Sequence, residues 1–424
     1  MFWYHAKTKH SYNSVRSNLS RLDWEEQPSV YKHYPAEYKR FSLKKENKED
    51  QFLYHIAGLS ARKSYPGGEY YLRINPSAGA LYPNELYMQI RGVEGKEDGI
   101  YHFEVSSSSL TLLYRLDERE GLEPYLGYKT AMRGYLFLVS AIYWRSAWKY
   151  KDRAFRYCLL DAGHLLGCIE ASALMIPHAT QMRYIMQRKK LNHMFGVEDK
   201  EWFVGGASVA VPMKGVDVTP VAFSLPFVDG SRTYEPNEII QQAYAETMQM
   251  RSCRSGVKAP RFTYEKEKLK ETIFTRRSQR GFEREAITKG QFNYLMDILA
   301  QPVLSDCDEA VNIYVVINRV LDMPLGLYKD NQYLKYGDFS KEAGYLSLEQ
   351  YNLSAQGALA FFLTSNGKNY QALYQKAGII GHRLYIASGY LRLGCSGIGA
   401  YYDDEVSLFL GNEEMVLYAI AVGK

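Results

Sequence analysis

The stretch Leu393-Gly394-Cys395-Ser396-Gly397-Ile398-Gly399-Ala400 places three glycines within an otherwise mostly apolar segment of the C-terminal half. Glycine has no side chain, so the backbone at Gly394, Gly397 and Gly399 can approach a flat or anionic ligand closely. The same composition is also typical of a tight structural turn. The interpretation therefore depends on two other motifs of the chain.

Those two motifs lie far apart in the sequence and carry different chemistry. Arg276-Arg277-Ser278-Gln279-Arg280 combines guanidinium groups, which bind phosphate in a bidentate manner, with a hydroxyl that adds a hydrogen bond. In Pro76-Ser77-Ala78-Gly79-Ala80-Leu81-Tyr82-Pro83, two prolines restrict the backbone while Ser77 and Gly79 leave donors and space. Alone, the first motif is typical of a solvated basic patch and the second of a rigid loop.

The composition is that of an ordinary globular protein with room for two domains. The chain has 424 residues, of which 46% are apolar and 23% charged, and a formal net charge of +5. This mild charge does not indicate nucleic-acid or membrane binding. Residues 1–12 lack a signal-peptide core and the apolar run around 135–144 is too short for a bilayer, so we expect a cytoplasmic protein.

The cysteines argue against a metal site and a disulfide framework. Cys158, Cys168, Cys253, Cys307 and Cys395 are odd in number, far apart and without a CxxC pair. His5, His10 and His178 also lack partners at ligand spacing, so no metal is predicted. A reducing compartment fits this pattern.

A weak internal repeat divides the chain into two halves. The apolar segment 86–90 is followed by Gly99-Ile100-Tyr101, and the apolar segment 313–317 is followed by Gly326-Leu327-Tyr328, at a shared offset of 227. The predicted domains are an N-terminal half at 1–235, a linker at 236–270 and a C-terminal half at 271–424.

Strands and helices are mixed in both halves. Residues 135–143 and 313–317 are predicted as buried strands, and residues 157–174 as a helix with an apolar face. A second helix is expected to open at Thr288, where Gln291 completes a capping box. The mixture predicts both helices and sheets in each half.

Together these motifs resemble the FMN-dependent nitroreductase superfamily, in particular its SagB/ThcOx-type dehydrogenase branch. The resemblance rests on residues 276–280 and 393–404 in the C-terminal half and on 76–87, 99–102 and 156–164 in the N-terminal half. It implies an α+β fold of two nitroreductase-like halves, each with a central mixed, largely antiparallel sheet flanked by helices. Because members are usually homodimers, it also implies an intramolecular pseudo-dimer.

The resemblance further implies one FMN per chain. In the family, the arginine motif holds phosphate and ribityl, the glycine run supports the flavin from the same side, and the loop at 76–83 contributes from the partner, here the other half. At the 227 offset, residues 303–310 have lost the loop motif, and residues 174–178 lack the glycine run. One site is therefore expected to survive and its mate to be degraded. The implied cofactor-binding residues are Pro76, Ser77, Ala78, Gly79, Leu81, Arg276, Arg277, Ser278, Arg280, Gly394, Cys395, Gly397, Ile398 and Gly399.

Lys149-Tyr150 resembles the Lys-Tyr pair of azoline oxidases in this branch. Removing a proton from carbon during oxidation needs a base, and a partly desolvated lysine can have a lowered pKa. A surface lysine beside a packing tyrosine is an equally weighted alternative. Tyr157, Asp161 and His164 share one face of the predicted helix and are candidates to line the site or orient the pair. Asp161 is equally a candidate partner for a buried His164.

The implied activity is an FMN-dependent oxidation that removes two electrons from a peptide-derived or small heterocyclic substrate, for example azoline to azole, with oxygen reoxidising the flavin. The first alternative is an NAD(P)H-dependent nitro or quinone reductase on the same fold, and the second is a non-enzymatic flavin-binding or scaffold protein. Peptide-modifying proteins and a further copy of the chain are the expected partners; nucleic acid and membrane are not.

Overall fold

The computed structural model describes residues 2–17, 21–44, 46–65, 68–176, 178–250, 253–256 and 258–424. The chain divides into two compact units. The N-terminal unit comprises Asp23–Ala259 and Val303–Asp308; the C-terminal unit comprises Met1–Leu22, Pro260–Pro302 and Glu309–Lys424.

Helices and strands occur in both units. The helices are α1 Phe2–Lys7, α2 Tyr12–Arg16, α3 Lys48–Ala57, α4 Trp144–Tyr150, α5 Ala154–Ala173, α6 Arg188–Met194, α7 Glu238–Thr247, α8 Lys266–Thr275, α9 Lys289–Leu299, α10 Ser340–Leu346, α11 Tyr370–Tyr390 and α12 Asp403–Leu410. The strands are β1 Arg40–Ser42, β2 Leu59–Tyr65, β3 Gly68–Arg73, β4 Asn84–Arg91, β5 Gly99–Glu104, β6 Ser109–Arg115, β7 Glu120–Gly121, β8 Thr130–Ala141, β9 Gln181–Arg183, β10 Trp202–Asp217, β11 Thr219–Pro220, β12 Asn312–Ile317, β13 Gly326–Lys329, β14 Gln332–Tyr336, β15 Leu359–Ser365, β16 Gly394–Ile398 and β17 Met415–Gly423.

The N-terminal unit is built around a seven-stranded antiparallel sheet with the order β1-β6-β5-β4-β8-β10-β9. Every residue of the central strand β4 is buried. Helix α5 is also buried along its whole length and packs against α3, α4 and β10. Its small residues, such as Gly163 and Gly167, allow this close packing because they add little volume between the helix and its neighbours.

The C-terminal unit contains a six-stranded antiparallel sheet with the order β14-β13-β12-β15-β17-β16. Helix α11 is buried over nearly its whole length and packs against α9, β16 and β17. The strand β16, which carries the glycine run, forms one edge of this sheet.

The two sheets share one topology and one register. Tyr87 pairs with His102 in the N-terminal unit, and Tyr314 pairs with Lys329 in the C-terminal unit, so both positions differ by 227. The order β6-β5-β4-β8-β10-β9 corresponds strand for strand to β14-β13-β12-β15-β17-β16. Backbone pairing therefore confirms the predicted repeat and the α+β class with largely antiparallel sheets.

The sheet register corrects the predicted counterpart of the glycine run. In the N-terminal sheet, the paired residues that start at Met88 of β4 and cross β8 and β10 end at Met182 of β9. In the C-terminal sheet, the equivalent path starts at Val315 of β12, crosses β15 and β17, and ends at Gly397 of β16. Strand β9 is thus the counterpart of β16, and the segment 174–178 is not. Within 174–178, Pro177 lies outside the described residues.

The compact units divide the chain differently from the predicted domain boundaries. Residues 1–22 group with the C-terminal unit, where the His10 N–H donates to Asp403 Oδ2 at 2.8 Å. The predicted linker contains α7, which packs against α5, and the beginning of α8. Val303–Asp308 groups with the N-terminal unit.

Several elements begin or end where local sequence indicated. Thr288 is the N-cap of α9 and forms the predicted capping box with Gln291. The predicted helix 157–174 corresponds to α5, which begins slightly earlier, and the strand at 135–143 lies largely within β8. Among the described residues, no helix combines the length and apolar character needed to traverse a lipid bilayer.

A disulfide joins Cys253 to Cys307 within the N-terminal unit, across a sequence separation of 54. This corrects the expectation drawn from the odd and scattered cysteines. The spacing of the cysteines did not indicate this bond. Cys307 lies close to Cys253 because the segment Val303–Asp308 belongs to the N-terminal unit, although it follows Pro260–Pro302 of the C-terminal unit in the chain. The remaining cysteines are buried and are not part of this disulfide: Cys158, Cys168 and Cys395.

Candidate active site

The Pro-Ser loop of the N-terminal unit, residues 76–83, is anchored by a buried carboxylate. Ser77 Oγ donates a 2.5 Å hydrogen bond to Asp161 Oδ2, and the Ala78 N–H lies 3.2 and 3.3 Å from the two Asp161 oxygens. Asp161 projects from α5 and is only 4% exposed. Hydrogen bonds to a carboxylate are stronger than neutral ones, so the loop is firmly attached to the core of the unit.

Tyr82 fixes the other end of this loop. Its N–H donates to Ser77 Oγ at 2.9 Å, its carbonyl accepts from Arg145 Nη1 at 3.0 Å, and its hydroxyl accepts from the Arg73 N–H at 3.0 Å. Tyr82 has φ of +44°, a conformation that a non-glycine residue holds only when its surroundings enforce it. Glu85 in turn holds Arg145 through a buried 2.6 Å ion pair.

Gly79 forms the exposed tip of the loop, beside Lys149 and Tyr150. A Cβ atom on Gly79 would lie 2.6 Å from Tyr150 Oη and 3.4 Å from Lys149 Nζ. Gly79 also has φ of +65°, so both backbone conformation and close approach favour glycine there. The structure therefore brings the Lys-Tyr pair against the Pro-Ser loop.

The three candidate residues on α5 have different surroundings. Tyr157 packs against Tyr150, with ring centroids 4.3 Å apart and planes inclined by 34°. Asp161 directs its carboxylate to the loop, a role that the sequence did not suggest. His164 is buried at 1% exposure in the core of the unit.

Burial controls the protonation of two groups at this cluster. It raises the pKa of Asp161 to about 7, while the hydrogen bonds from Ser77 and Ala78 act in the opposite direction. Burial, with contributions from Tyr157 and Asp161, also raises the pKa of Tyr150. The Tyr150 hydroxyl therefore stays protonated at neutral pH and can donate a hydrogen bond.

In the C-terminal unit, the arginine motif runs beside the glycine run. Helix α8 ends at Thr275. Just after it, Ser278 forms an isolated parallel β-bridge with Cys395 of β16, and the Gln279 N–H donates to the Cys395 carbonyl at 3.1 Å. Arg276 is 8% exposed, whereas Ser278 and Arg280 are exposed. The motif thus presents a hydroxyl and a guanidinium group to solvent.

Two of the arginines also contact their own unit. Arg277 Nη1 donates to the Arg276 carbonyl at 2.5 Å and to the Phe274 carbonyl at 3.1 Å. Burial lowers the pKa of His382 to about 3, and the nearby positive charge of Arg276 contributes to this shift. His382 is therefore neutral at physiological pH, which leaves Arg276 as the cation of that pair.

Tyr385 links the arginine motif to the glycine run. Its hydroxyl lies 2.8 Å from Ser278 Oγ and accepts a 2.7 Å hydrogen bond from the Gly397 N–H. The Arg276 guanidinium carbon lies 5.2 Å from the centroid of its ring. Sequence reasoning missed Tyr385 because a tyrosine within the apolar helix α11 is typical of a core position. Its hydroxyl, which needs a partner when buried, was the available signal.

Packing within the C-terminal unit explains two glycines of β16. A Cβ atom on Gly397 would overlap Tyr418 Oη, and one on Gly394 would lie 2.5 Å from Gln279 Cγ. Packing inside the unit is therefore enough to explain why glycine occupies these two positions. Contact between the glycine run and a flavin stays a prediction. The other predicted cofactor residues are buried or half-buried in their units: Pro76, Leu81, Ile398 and Gly399.

The C-terminal region matches a known family. Residues 273–424 match the model of the Nitroreductase family. This part of the chain is therefore similar to the Nitroreductase family. The match includes the arginine motif and the glycine run.

A solved structure from Anabaena variabilis, assigned as a nitroreductase, is similar to the whole chain. The identity is 26%, the alignment covers 100% of this chain and 99% of that chain, and the TM-score is 0.81. This likeness extends the nitroreductase fold to the N-terminal unit, which the family match does not reach.

Two further similarities are more limited. A Methanocaldococcus jannaschii protein, assigned as a nitroreductase, is 36% identical over 94 residues, or 21% of this chain, and the chain spans 46% of that relative's length. The Escherichia coli microcin synthetase McbBCD complex with truncated pro-MccB17 shares 14% identity over 45% of this chain and 73% of its own, with a TM-score of 0.31. That TM-score is too low to bear on function.

Proposed function

We propose that this protein is an FMN-dependent oxidoreductase that holds one FMN per chain, and that the Pro-Ser loop, the arginine motif and the glycine run belong to one site. The loop and the two C-terminal motifs carry complementary chemistry, and neither unit repeats the full set. The observation that carries the proposal is the register of the internal repeat.

The internal repeat relates the Pro-Ser loop and the glycine run to a pair of segments within the N-terminal unit. In the N-terminal unit, the Met182 N–H donates to the Leu304 carbonyl at 2.8 Å, and Met182 forms an isolated parallel β-bridge with Ser305. At the 227 offset, Leu304 and Ser305 correspond to residues 77–78, and by sheet register Met182 corresponds to Gly397. Repeat symmetry therefore makes residues 77–78 the equivalents of the segment that pairs with Met182, the counterpart of Gly397.

The donor groups present suit FMN. Guanidinium groups of Arg276 and Arg280, with the Ser278 hydroxyl, match a phosphate monoester. Gly79 is exposed, so its backbone is accessible to a ligand beside Tyr150. When bound, FMN would supply the two-electron chemistry that no side chain of this protein provides.

The finer proposal is a SagB/ThcOx-type oxidation of an azoline ring to an azole, which removes two electrons and two protons, with oxygen as the final acceptor. Lys149 Nζ takes the proton from the ring carbon, and the protonated Tyr150 hydroxyl donates a hydrogen bond to the substrate. Asp161 and Tyr82 hold the loop against this pair. The proximity of Lys149 and Tyr150 to Gly79 supports these roles.

Flavin binding tests the site independently of turnover. About one FMN per chain is expected on the purified protein. Arg280→Gln should weaken FMN affinity about tenfold and leave riboflavin affinity unchanged, because riboflavin lacks the phosphate. Arg261→Gln, an exposed arginine of the same unit, is the matched control. Absence of bound FMN after its addition, or equal loss of both flavins in Arg280→Gln, contradicts the proposal.

Turnover of a thiazoline-containing peptide tests the finer assignment. Lys149→Ala should abolish formation of the thiazole while FMN stays bound, because the carbon then lacks its base. Lys151→Ala, an exposed lysine nearby, should keep its activity. Retained turnover in Lys149→Ala removes the base from this mechanism.

The second candidate function is an NAD(P)H-dependent reductase of nitro or quinone compounds. The full-length similarity to the Anabaena variabilis structure favours it, since that protein is assigned as a nitroreductase. Anaerobic mixing with NADPH distinguishes the two candidates. Bleaching of the flavin spectrum within seconds of NADPH addition indicates a reductase. An oxidised spectrum that persists with NADPH, together with azoline oxidation in a separate aerobic assay, indicates a dehydrogenase.

A further inference from the structure

Trp24 is an exposed indole beside the Lys-Tyr pair. It is 62% exposed, and Lys149 Nζ lies 5.8 Å from the centroid of its ring. By contrast, Trp144, Trp148 and Trp202 are each at most 5% exposed. Because water contact is unfavourable for so large an apolar surface, an indole held in the open next to a candidate base indicates a binding role.

The turn that carries Trp24 is held in place. Trp148 Nε1 donates to the Asp23 carbonyl at 3.1 Å, and the Glu25 N–H donates to Asp23 Oδ1 at 3.0 Å. The rings of Trp148 and Trp24 lie 5.5 Å apart with planes inclined by 70°. The two rings therefore meet at an angle and are not stacked face to face, while the Trp24 side chain stays 62% exposed.

Trp24 continues a row of groups that begins at the Pro-Ser loop. Lys149 Nζ is 3.4 Å from the Cβ position of Gly79 and 5.5 Å from the centroid of the Tyr150 ring. Lys149 Nζ also lies 5.8 Å from the centroid of the Trp24 ring. A ligand that reaches Lys149 along the loop therefore meets the indole with its next group.

We propose that Trp24 is a specificity-determining residue, which stacks on a flat, uncharged side chain next to the substrate ring that is oxidised. The inference rests on the proposed function and narrows its substrate class to peptides with an aromatic residue flanking the heterocycle. Aromatic rings stack at centroid distances of 4.5–7 Å, a range that keeps such a group beside Lys149.

Two synthetic peptides test the inference on the FMN-loaded protein. One carries phenylalanine and the other glycine beside a thiazoline, and the ratio of their kcat/KM values is measured. The unmodified protein should prefer the phenylalanine peptide up to about tenfold. Trp24→Ala should bring the ratio close to one, and Trp24→Phe should keep part of the preference for the phenylalanine peptide. The control is Phe223→Ala, which removes a 63% exposed aromatic residue elsewhere and should leave the ratio unchanged.

A binding measurement separates this inference from the proposed function. The oxidised thiazole peptide with flanking phenylalanine should protect tryptophan fluorescence from acrylamide quenching, and Trp24→Ala should lose that protection. If both peptides are oxidised and Trp24→Ala leaves the ratio unchanged, the inference is overturned and the function stands. If neither peptide is oxidised, the function fails, and the fluorescence result alone decides whether Trp24 binds the aromatic group.

Discussion

The 2.5 Å hydrogen bond between Ser77 and Asp161 couples the Pro-Ser loop to a carboxyl group that titrates near neutral pH. The pKa of Asp161 is about 7 in the folded protein because the group is buried, compared with 3.8 for an exposed aspartate. Between these two values the folded protein holds a proton that the unfolded chain has lost. Stability and the state of the loop should therefore both depend on pH in this window.

The pH dependence gives a first prediction. The free energy of unfolding should fall as pH rises from about 4 to 7, by about 1.4 kcal/mol per pH unit from this group, and level off above 7. Asp161→Asn removes this contribution because it does not titrate. The free energy of unfolding of both proteins is measured with urea at pH 5 and at pH 8. Between these two pH values, the unmodified protein should lose about 3 kcal/mol more than Asp161→Asn does.

Ser77→Ala supplies the matched comparison for the same titration. Its hydroxyl donates to the carboxylate and opposes the raised pKa. Without the Ser77 hydroxyl, the pKa of Asp161 should rise further. The pH range over which the free energy of unfolding falls should then extend to higher pH. Identical pH slopes for Asp161→Asn and the unmodified protein would show that Asp161 does not titrate in this range.

Gly79→Ala should damage the Lys-Tyr cluster beyond its cost to the backbone. Its Cβ would lie 2.6 Å from Tyr150 Oη, whereas Gly95 has a similar φ of +73° and nothing within 4 Å of its Cβ position. Both alanine variants should lose about 1 kcal/mol of stability from the strained φ. A lower oxidation rate should appear in Gly79→Ala alone, and equal activities would mean that Tyr150 moves aside without consequence.

Tyr385→Phe should weaken flavin binding. It removes the acceptor of the Gly397 N–H and the partner of Ser278 Oγ, which frees both the glycine run and the arginine motif. Leaving one polar group without its partner costs about 1–3 kcal/mol, so FMN affinity should fall about tenfold by fluorescence titration. Tyr401→Phe, which loses a buried hydroxyl bond to Val416 in the same unit, should lower stability with FMN affinity unchanged.

Thiol counting tests the disulfide. With Cys253 joined to Cys307, denatured protein should react at three thiols without reductant and at five after reduction. Cys253→Ser should give four thiols in both conditions, and its unfolding midpoint should fall because the unfolded chain is no longer cross-linked. Five reactive thiols without reductant would contradict the bond.

Local patterns were enough to predict the elements and the repeat. The capping box at Thr288 and the apolar face of α5 are short-range signals, because each depends on neighbours within a few turns of helix. The shared offset of 227 was visible for the same reason: strand residues such as Tyr87 and Tyr314 occupy equivalent buried positions. The wrong counterpart of the glycine run arose because loops between strands change length without altering strand register.

The sequence by itself determined the α+β class, the tandem repeat and the types of group that could meet a flavin. Only the tertiary structure decided that Asp161 holds Ser77, that Tyr385 joins Ser278 to Gly397, and that Cys307 reaches Cys253. Each of these contacts joins residues far apart in the chain. Their distances depend on how the strands pair and how the buried helices pack, and no local pattern of residue types encodes that arrangement.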